Sequence, residues 1–146
     1  MDTLPDELKG KAFSRDMAHC HSYLSERWPH LLDIFRATTG RDLFITCTWR
    51  SPEEQAKLYA QGRTAPGRIV TWVDGVLKKS NHNYYPSRAF DVAVDVNPDE
   101  SKVSISWDDE AYRDLPGLCQ LLGLESGGAW KKVDLPHVQI PSWVKI

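Results

Sequence analysis

The chain has 146 residues and a formal net charge of −2, with 41% apolar and 26% charged residues. This length is typical of one compact domain with a buried core. The charge gives no basic footprint for nucleic acid, and no apolar segment is long enough for membrane insertion. The amino terminus shows no basic region followed by an apolar one, so we expect no signal peptide.

The first predicted elements are a helix and a buried strand. Ser14 is a candidate N-cap for a helix whose apolar face runs over residues 17–35. Pro29 is expected to split or kink this helix, and Gly40 to end it. Residues 43–49 are rich in β-branched and aromatic side chains, which favours a strand.

A second helix and a hairpin are predicted next. Ser51-Pro-Glu-Glu54 forms a capping-box pattern with proline at the first helical position, so a helix should follow as far as Gln61. Residues 63–79 are loop-like. Within them, residues 70–77 predict a small hairpin that turns at Asp74-Gly75.

The remaining elements complete an α+β pattern. Residues 89–96 alternate as a central strand does, and residues 97–107 are polar enough to cover an edge. Residues 108–122 predict one or two short helices that break at Pro116, and a last strand is expected around residues 137–140. We therefore expect one domain over residues 1–146, with helices packed on one side of a small antiparallel sheet.

The three cysteines are Cys20, Cys47 and Cys119. They are far apart in the sequence, odd in number, and surrounded by apolar residues. This pattern favours buried free thiols over disulfides or a metal cluster.

Two of the five histidines lie near carboxylates. His82 precedes Asp91 by nine positions, and His137 follows Asp134 by three. Two imidazoles and one carboxylate, with a fourth position open to water, form a common catalytic zinc site. From spacing alone, the alternative is that these are ordinary hydrogen-bonded histidines.

Three sequence blocks in a fixed order strengthen the metal hypothesis. The chain resembles the zinc D-alanyl-D-alanine carboxypeptidase and L-alanyl-D-glutamate endopeptidase family, which includes many phage endolysins. The resemblance extends over about residues 13–140. It rests on the block Thr46–Arg63, on Ser80-x-His82 with Ala89-x-Asp91, and on Asp134-x-x-His137.

The resemblance implies a role for each matching residue. His82, Asp91 and His137 would be the zinc ligands. Asp134 would be the general base that takes a proton from the attacking water and passes it to the leaving amine. Arg50 would stabilise the oxyanion.

The resemblance also implies substrate contacts, and the chain departs from the motif in one place. Ser80 and Gln55 would hydrogen-bond the substrate peptide. Eight residues separate His82 from Asp91, two more than is usual in the family. Asp95 lies on the same strand face as Asp91 and is therefore the alternative third ligand.

Several residues also have structural interpretations. Arg50 could form a surface ion pair with Glu54, and Gln55 could be a solvated helix residue. Arg63 could stabilise the carboxyl end of its helix. Trp130 is expected to fill the core rather than to contact substrate.

The resemblance implies a monomeric zinc peptidase that acts on peptidoglycan, with the L-alanyl-D-glutamate bond favoured. The expected setting is a phage lysis enzyme made in the host bacterial cytoplasm. One alternative is a D,D-carboxypeptidase or D-Ala-D-Ala dipeptidase with the same zinc site. Another is a zinc-containing binding module without catalysis.

Overall fold

A computed structural model describes residues 3–146. Its centre is a five-stranded sheet in which every pairing is antiparallel. Four strands follow the order β1-β2-β5-β4, and β3 pairs with the carboxyl end of β2. The strands are β1 Asp42–Cys47, β2 Ala89–Asp95, β3 Ile105–Ser106, β4 Glu125–Ser126 and β5 His137–Gln139.

Three α-helices accompany the sheet, and two of them build the core with it. The long helix contacts the first strand and the third helix. No helix in the described part of the chain is long and apolar enough to cross a membrane. The α-helices are α1 Ser22–Thr39, α2 Pro52–Ala60 and α3 Leu115–Leu121.

The core lies between α1, α3 and one face of β2. Leu31 and Phe35 of α1 and Leu115 of α3 are completely buried against Phe90 and Val92 of β2. Burial of such large apolar side chains contributes about 1.5–3 kcal/mol each. The expected α+β fold, with a small antiparallel sheet and helices packed on it, is confirmed.

The start of α1 differs from the expected one. A short 3-10 turn, Met17–His19, comes first, and the helix begins at Ser22 with the His21 side chain accepting a hydrogen bond from the Tyr23 N–H. Ser14 is therefore not its N-cap. The Ser14 hydroxyl instead bonds the His19 ring at 2.6 Å and ties down the preceding segment.

Pro29 does not divide α1, which continues to Thr39 and ends at Gly40 with φ 70°. An interior proline costs a helix about 3 kcal/mol, because it removes one hydrogen bond and crowds the preceding turn. Complete burial of Leu24, Leu31 and Phe35, on both sides of the proline, offsets this cost.

The α2 helix is confirmed, whereas the hairpin is not. The Ser51 hydroxyl accepts a hydrogen bond from the Glu54 N–H, and Pro52 starts the helix. Residues 70–77 form bends instead of strands. The tight turn is nevertheless present, since the Asp74 carboxylate accepts hydrogen bonds from three successive backbone N–H groups.

The last part of the chain contains two helical pieces and two short strands. A 3-10 helix, Glu110–Asp114, leads directly into α3, so Pro116 lies in the first turn of α3 instead of breaking a helix. The last strand is confirmed as β5. The two-residue strands β3 and β4 were not predicted, because two residues carry no detectable periodicity.

All three cysteines are buried and free, as predicted.

Candidate active site

Three side chains form a lateral row across neighbouring strands. Asp91 of β2 is paired with Cys47 of β1 on one side and with His137 of β5 on the other. An irregularity between Ile45 and Cys47 adds one residue to β1. This bulge brings Cys47, and not Thr46, opposite Asp91. We call Cys47, Asp91 and His137 the lateral row.

His82 approaches the lateral row from a short 3-10 turn, Asn81–Asn83. The Ser80 hydroxyl and the Asn83 amide cap this turn reciprocally. The His82 ring is 1% exposed. Its Nδ1 lies 2.7 Å from the Thr48 carbonyl oxygen, and its Nε2 lies 3.1 Å from Asp91 Oδ1. A carbonyl can only accept, so Nδ1 carries a proton and Nε2 faces Asp91.

Whereas His82 approaches Asp91 Oδ1 with its Nε2, His137 approaches the same carboxylate oxygen with its Nδ1. Its Nδ1 lies 3.4 Å from Asp91 Oδ1, and its Nε2 lies 2.8 Å from Gln139 Oε1. The Gln139 NH₂ group donates to the Glu125 carboxylate at 3.1 Å, which fixes the orientation of the amide. His137 Nε2 must therefore be the donor, and Nδ1 is the nitrogen that faces Asp91.

Asp91 is the centre of charge in the site. Burial raises its pKa, but the charge of His82 and hydrogen bonds from His137 and His82 outweigh this effect and hold the pKa well below its usual value. Burial lowers the pKa of His82, but the Asp91 carboxylate reverses this and raises the pKa to about 10. Each of these two groups therefore favours the charged form of the other, and their nearest atoms lie 3.1 Å apart.

The distances from each imidazole nitrogen to Asp91 are compatible with a shared metal ion. Tetrahedral zinc with bonds of about 2.0–2.1 Å holds neighbouring ligand atoms about 3.3 Å apart. The two imidazole nitrogens lie 3.1 and 3.4 Å from Asp91 Oδ1. Carbonyl oxygens hold the opposite nitrogen of each ring, as is usual for histidine ligands. The three predicted ligands His82, Asp91 and His137 are thus brought together.

Cys47 is a further potential ligand that the sequence did not reveal. The ligand atoms of Cys47, His82 and Asp91 all lie within 4.8 Å of one another and could hold a metal ion. The Cys47 sulfur lies 3.9 Å from His82 Nδ1, the nitrogen already bonded to Thr48. Asp91 and His137 instead share the side of His82 Nε2, which favours them as its partners.

Arg50 lies beside the potential ligands. Its Nη2 is 3.4 Å from Asp91 Oδ2, and its Nη1 donates to Gln55 Oε1 at 3.0 Å. The side chain is only 15% exposed. No ion pair with Glu54 forms among the described residues, so the surface ion-pair interpretation is wrong.

The two predicted substrate contacts already have partners in the protein. Gln55 is 1% exposed, and its NH₂ group donates to Thr71 Oγ1 and to the Val73 carbonyl. It is therefore not the solvated helix residue of the structural interpretation. The Ser80 hydroxyl accepts from the His82 N–H at 3.2 Å. Both side chains position other parts of the site, and their contact with a substrate stays a prediction.

Asp134 lies in the turn that precedes His137, and its side chain is exposed. Although the residue as a whole is exposed, the surrounding protein shields its carboxyl group from part of the solvent, and this desolvation raises its pKa. The charge of Asp91 acts in the same direction, and His137, His82 and Arg50 oppose it. The Asp134 N–H donates to the Gly127 carbonyl at 2.9 Å. A Cβ atom at Gly127 would lie 2.4 Å from the Asp134 carbonyl oxygen, so this turn depends on the missing side chain.

Asp95 lies away from the site, whereas Trp130 lies against it. Asp95 lies at the opposite end of β2, where its Oδ1 accepts from the N–H groups of Asn97 and Ser104. It is thus removed from the lateral row. Trp130 packs with its ring centroid 5.0 Å from that of His137, and its indole N–H donates to Glu125.

The sequence patterns did not indicate two residues that support His137, namely Gln139 and Glu125. Gln139 could have been found from the two-residue period of a strand, which places it on the same face as His137. Glu125 required the pairing register, since it lies directly opposite Gln139 across β4 and β5.

No protein-family profile matches the chain. The sequence is similar to the peptidoglycan L-alanyl-D-glutamate endopeptidase CwlK of Bacillus subtilis (strain 168), with 36% identity over 114 residues. The matched region is 71% of this chain and 64% of CwlK, so the chain spans less than two thirds of that protein.

Among solved structures, the chain is similar to the crystal structure of the Serratia marcescens L-Ala D-Glu endopeptidase ChiX. The TM-score is 0.49 and the sequence identity 21%, with 92% of this chain and 95% of that chain covered.

Proposed function

We propose that this protein is a zinc-dependent peptidase that hydrolyses an amide bond in the peptide stem of peptidoglycan. The observation that carries the proposal is the convergence of His82 Nε2 and His137 Nδ1 on one oxygen of Asp91. The tautomers fixed by Thr48 and Gln139 support it, because an imidazole ligand needs one free and one anchored nitrogen. The similarity to CwlK supports the choice of substrate.

In this proposal, His82, Asp91 and His137 are the zinc ligands. Bound zinc would lower the pKa of a coordinated water to about 7 and polarise a substrate carbonyl. The donor set suits it, since two imidazoles and one carboxylate leave a fourth position for water.

Asp134 and Arg50 are assigned the proton transfer and the charge stabilisation. The raised pKa of Asp134 suits a carboxylate that accepts a proton from the attacking water and returns it to the leaving amine. Arg50 is held between Asp91 and Gln55 in a largely buried position. A fixed guanidinium there would stabilise negative charge that develops on the carbonyl oxygen.

We favour the L-alanyl-D-glutamate bond, because CwlK is named for that activity. Mass spectrometry of muropeptides digested by the purified protein tests it. The expected product is a stem peptide with a new amino-terminal glutamate. Loss of terminal D-alanine alone would instead identify a D,D-carboxypeptidase. Cleavage of free D-alanyl-D-alanine with unchanged muropeptides would identify a dipeptidase, and cleavage of neither substrate would identify a binding module.

The ligand assignment has its own experiment. Metal analysis after purification without chelator should give one zinc per chain, and His82→Ala and His137→Ala should each lose it. Cys47→Ser should keep the metal, since Cys47 lies beside the anchored nitrogen of His82. Loss of zinc in Cys47→Ser with retention in His137→Ala would replace His137 by Cys47 in the ligand set.

The biological setting that we propose is phage lysis, in which a monomeric enzyme accumulates in the host cytoplasm before its release to the cell wall. Expression in a Gram-negative host, with and without a co-expressed membrane pore, tests this setting. Lysis that requires both the pore and an intact His82 supports it. Absence of lysis with the pore present would contradict it without affecting the peptidase proposal.

A further inference from the structure

Trp72 is held beside the candidate active site although its side chain is 60% exposed. Its two chain neighbours, Thr71 and Val73, both accept hydrogen bonds from the Gln55 NH₂ group, at 3.0 and 2.8 Å. The oxygen of the same amide accepts from Arg50. One buried glutamine thus connects the backbone around Trp72 to the guanidinium of the site.

Lys132 contacts Trp72 from the segment that leads to Asp134. Its Nζ lies 4.0 Å from the centroid of the indole ring. Lys132 lies between Trp130, which packs against the His137 ring, and Asp134. The contact therefore joins the segment bonded to Gln55, the partner of Arg50, to the segment that carries the proposed general base.

Two cations flank the exposed indole without a carboxylate partner. Within residues 3–146, no carboxylate lies within ion-pair distance of Arg63 or Lys132. Arg63 is fixed, because it donates to the carbonyls of Tyr59 and Thr71 and stacks on the Tyr59 ring at 3.8 Å. Its guanidinium lies 5.5 Å from the Trp72 ring. Among the described residues, the Lys132 ammonium contacts the ring without a hydrogen bond or ion pair, so it is available to an anion.

We propose that Trp72, Lys132 and Arg63 form a subsite for the glutamyl residue of the substrate peptide. This proposal rests on the proposed function. A glutamyl residue within a chain uses one carboxyl group for the next bond and keeps the other as a free carboxylate. That carboxylate would pair with the Lys132 ammonium, and the nearby positive charge of Arg63 would add to the attraction. The methylene groups of the glutamyl residue would lie on the indole face.

Two synthetic stem peptides that differ at one group test the subsite. Both contain the L-alanyl-D-glutamate bond, but the free carboxylate of one is replaced by a carboxamide in the other. We expect the wild type to show a kcat/KM about tenfold higher for the carboxylate, since a charge-assisted hydrogen bond is lost in the amide. Lys132→Ala should cleave both peptides equally, at about the rate of the wild type on the amide.

Lys131→Ala is the matched control, because Lys131 is an exposed neighbour without a hydrogen bond or ion pair among the described residues. It should keep the preference of the wild type. Trp72→Ala should lower kcat/KM for both peptides, and Trp72→Phe should restore most of the loss. Since these side chains are exposed, thermal melting should show all variants folded.

The inference would be overturned by a wild type that cleaves both peptides equally, or by a Lys132→Ala variant that keeps the tenfold preference. Both results would leave the proposed peptidase intact. A wild type that cleaves neither peptide and releases no glutamyl product from muropeptides would overturn the proposed function, and this subsite with it.

Discussion

The two imidazoles of the site turn different nitrogens toward Asp91. His82 presents Nε2 and His137 presents Nδ1, and the remaining nitrogen of each ring donates to an oxygen acceptor. The acceptor for His82 is backbone, which substitution cannot remove. The acceptor for His137 is the side chain of Gln139, which can be changed alone.

Gln139→Leu should therefore weaken metal binding without removing a ligand. The leucine cannot accept the His137 Nε2–H, so the ring loses its fixed tautomer and orientation. We expect the affinity for zinc to fall about 10–100-fold, as is typical when such a supporting partner is lost. Competition with a chelating dye measures this. Gln120→Leu, an exposed position on α3, is the control and should bind zinc as the wild type does.

Asp134→Asn should separate catalysis from metal binding. Asparagine keeps the shape of the side chain but cannot accept a proton at neutral pH. We expect normal zinc content and a decrease in kcat of about 100-fold or more. Steady-state kinetics and metal analysis on the same preparation test both parts. Near-normal turnover would show that another residue is the base.

At the scale of single elements, local sequence patterns predicted α2 and β2 well. The Ser51 cap and Pro52 act within one turn, and the apolar alternation of β2 reflects its central position. Pro29 is a position where the local sequence pattern did not predict the structure. Its effect on α1 was overridden by burial of side chains against the sheet, which no local pattern contains.

Pairing between strands was the main information that the sequence lacked. Nothing in residues 43–49 indicates that a bulge after Ile45 brings Cys47 opposite Asp91. In the same way, Glu125 becomes a partner of Gln139 only through the register of β4 and β5. The ligand candidates could be predicted from residue spacing and resemblance, but their supporting contacts could not.

Gly127→Ala should distort the turn that carries Asp134 and His137. The new methyl group would lie 2.4 Å from the Asp134 carbonyl oxygen and 3.1 Å from the His137 Cβ, so the turn has to shift. We expect the free energy of unfolding to fall by about 1–3 kcal/mol, as is usual for overpacking. The catalytic activity should decrease by more than the loss of folded protein explains.

Urea denaturation and kinetics at a temperature where the variant stays folded measure the two effects. Gly117→Ala is the control, because a Cβ atom there meets nothing within 4 Å and the residue lies in α3. Alanine is the better helix former by about 1 kcal/mol, so this variant should be slightly more stable. Equal stability of the two variants would contradict the close approach at Gly127.

For the whole molecule, the buried thiols predict a stability that depends on pH. Burial raises the pKa of Cys119 to about 12 and that of Cys20 above its usual range. The unfolded thiols ionise near pH 8.5. Since the folded pKa values are the higher ones, this stability is complete below about pH 8.5 and is lost as the pH rises above it.

Urea denaturation between pH 7 and pH 10 measures this loss. We expect each thiol to contribute a slope of at most about 1.4 kcal/mol per pH unit. Cys119→Ala should show a shallower slope than the wild type, although its stability at pH 7 is lower. Parallel slopes would show that Cys119 ionises equally in both states.

The lateral row has a consequence for unfolding. Its members come from positions 47, 91 and 137. A metal ion held by Asp91 of β2, His137 of β5 and the His82 turn would act as a cross-link between distant parts of the chain. A cross-link that closes a long loop restricts the unfolded chain, and a ligand bound only to the folded state stabilises it by mass action. The protein would then depend on free zinc for its persistence as well as for the proposed chemistry. Where a chelator removes the ion, the chain would become a better substrate for proteases before it lost its fold.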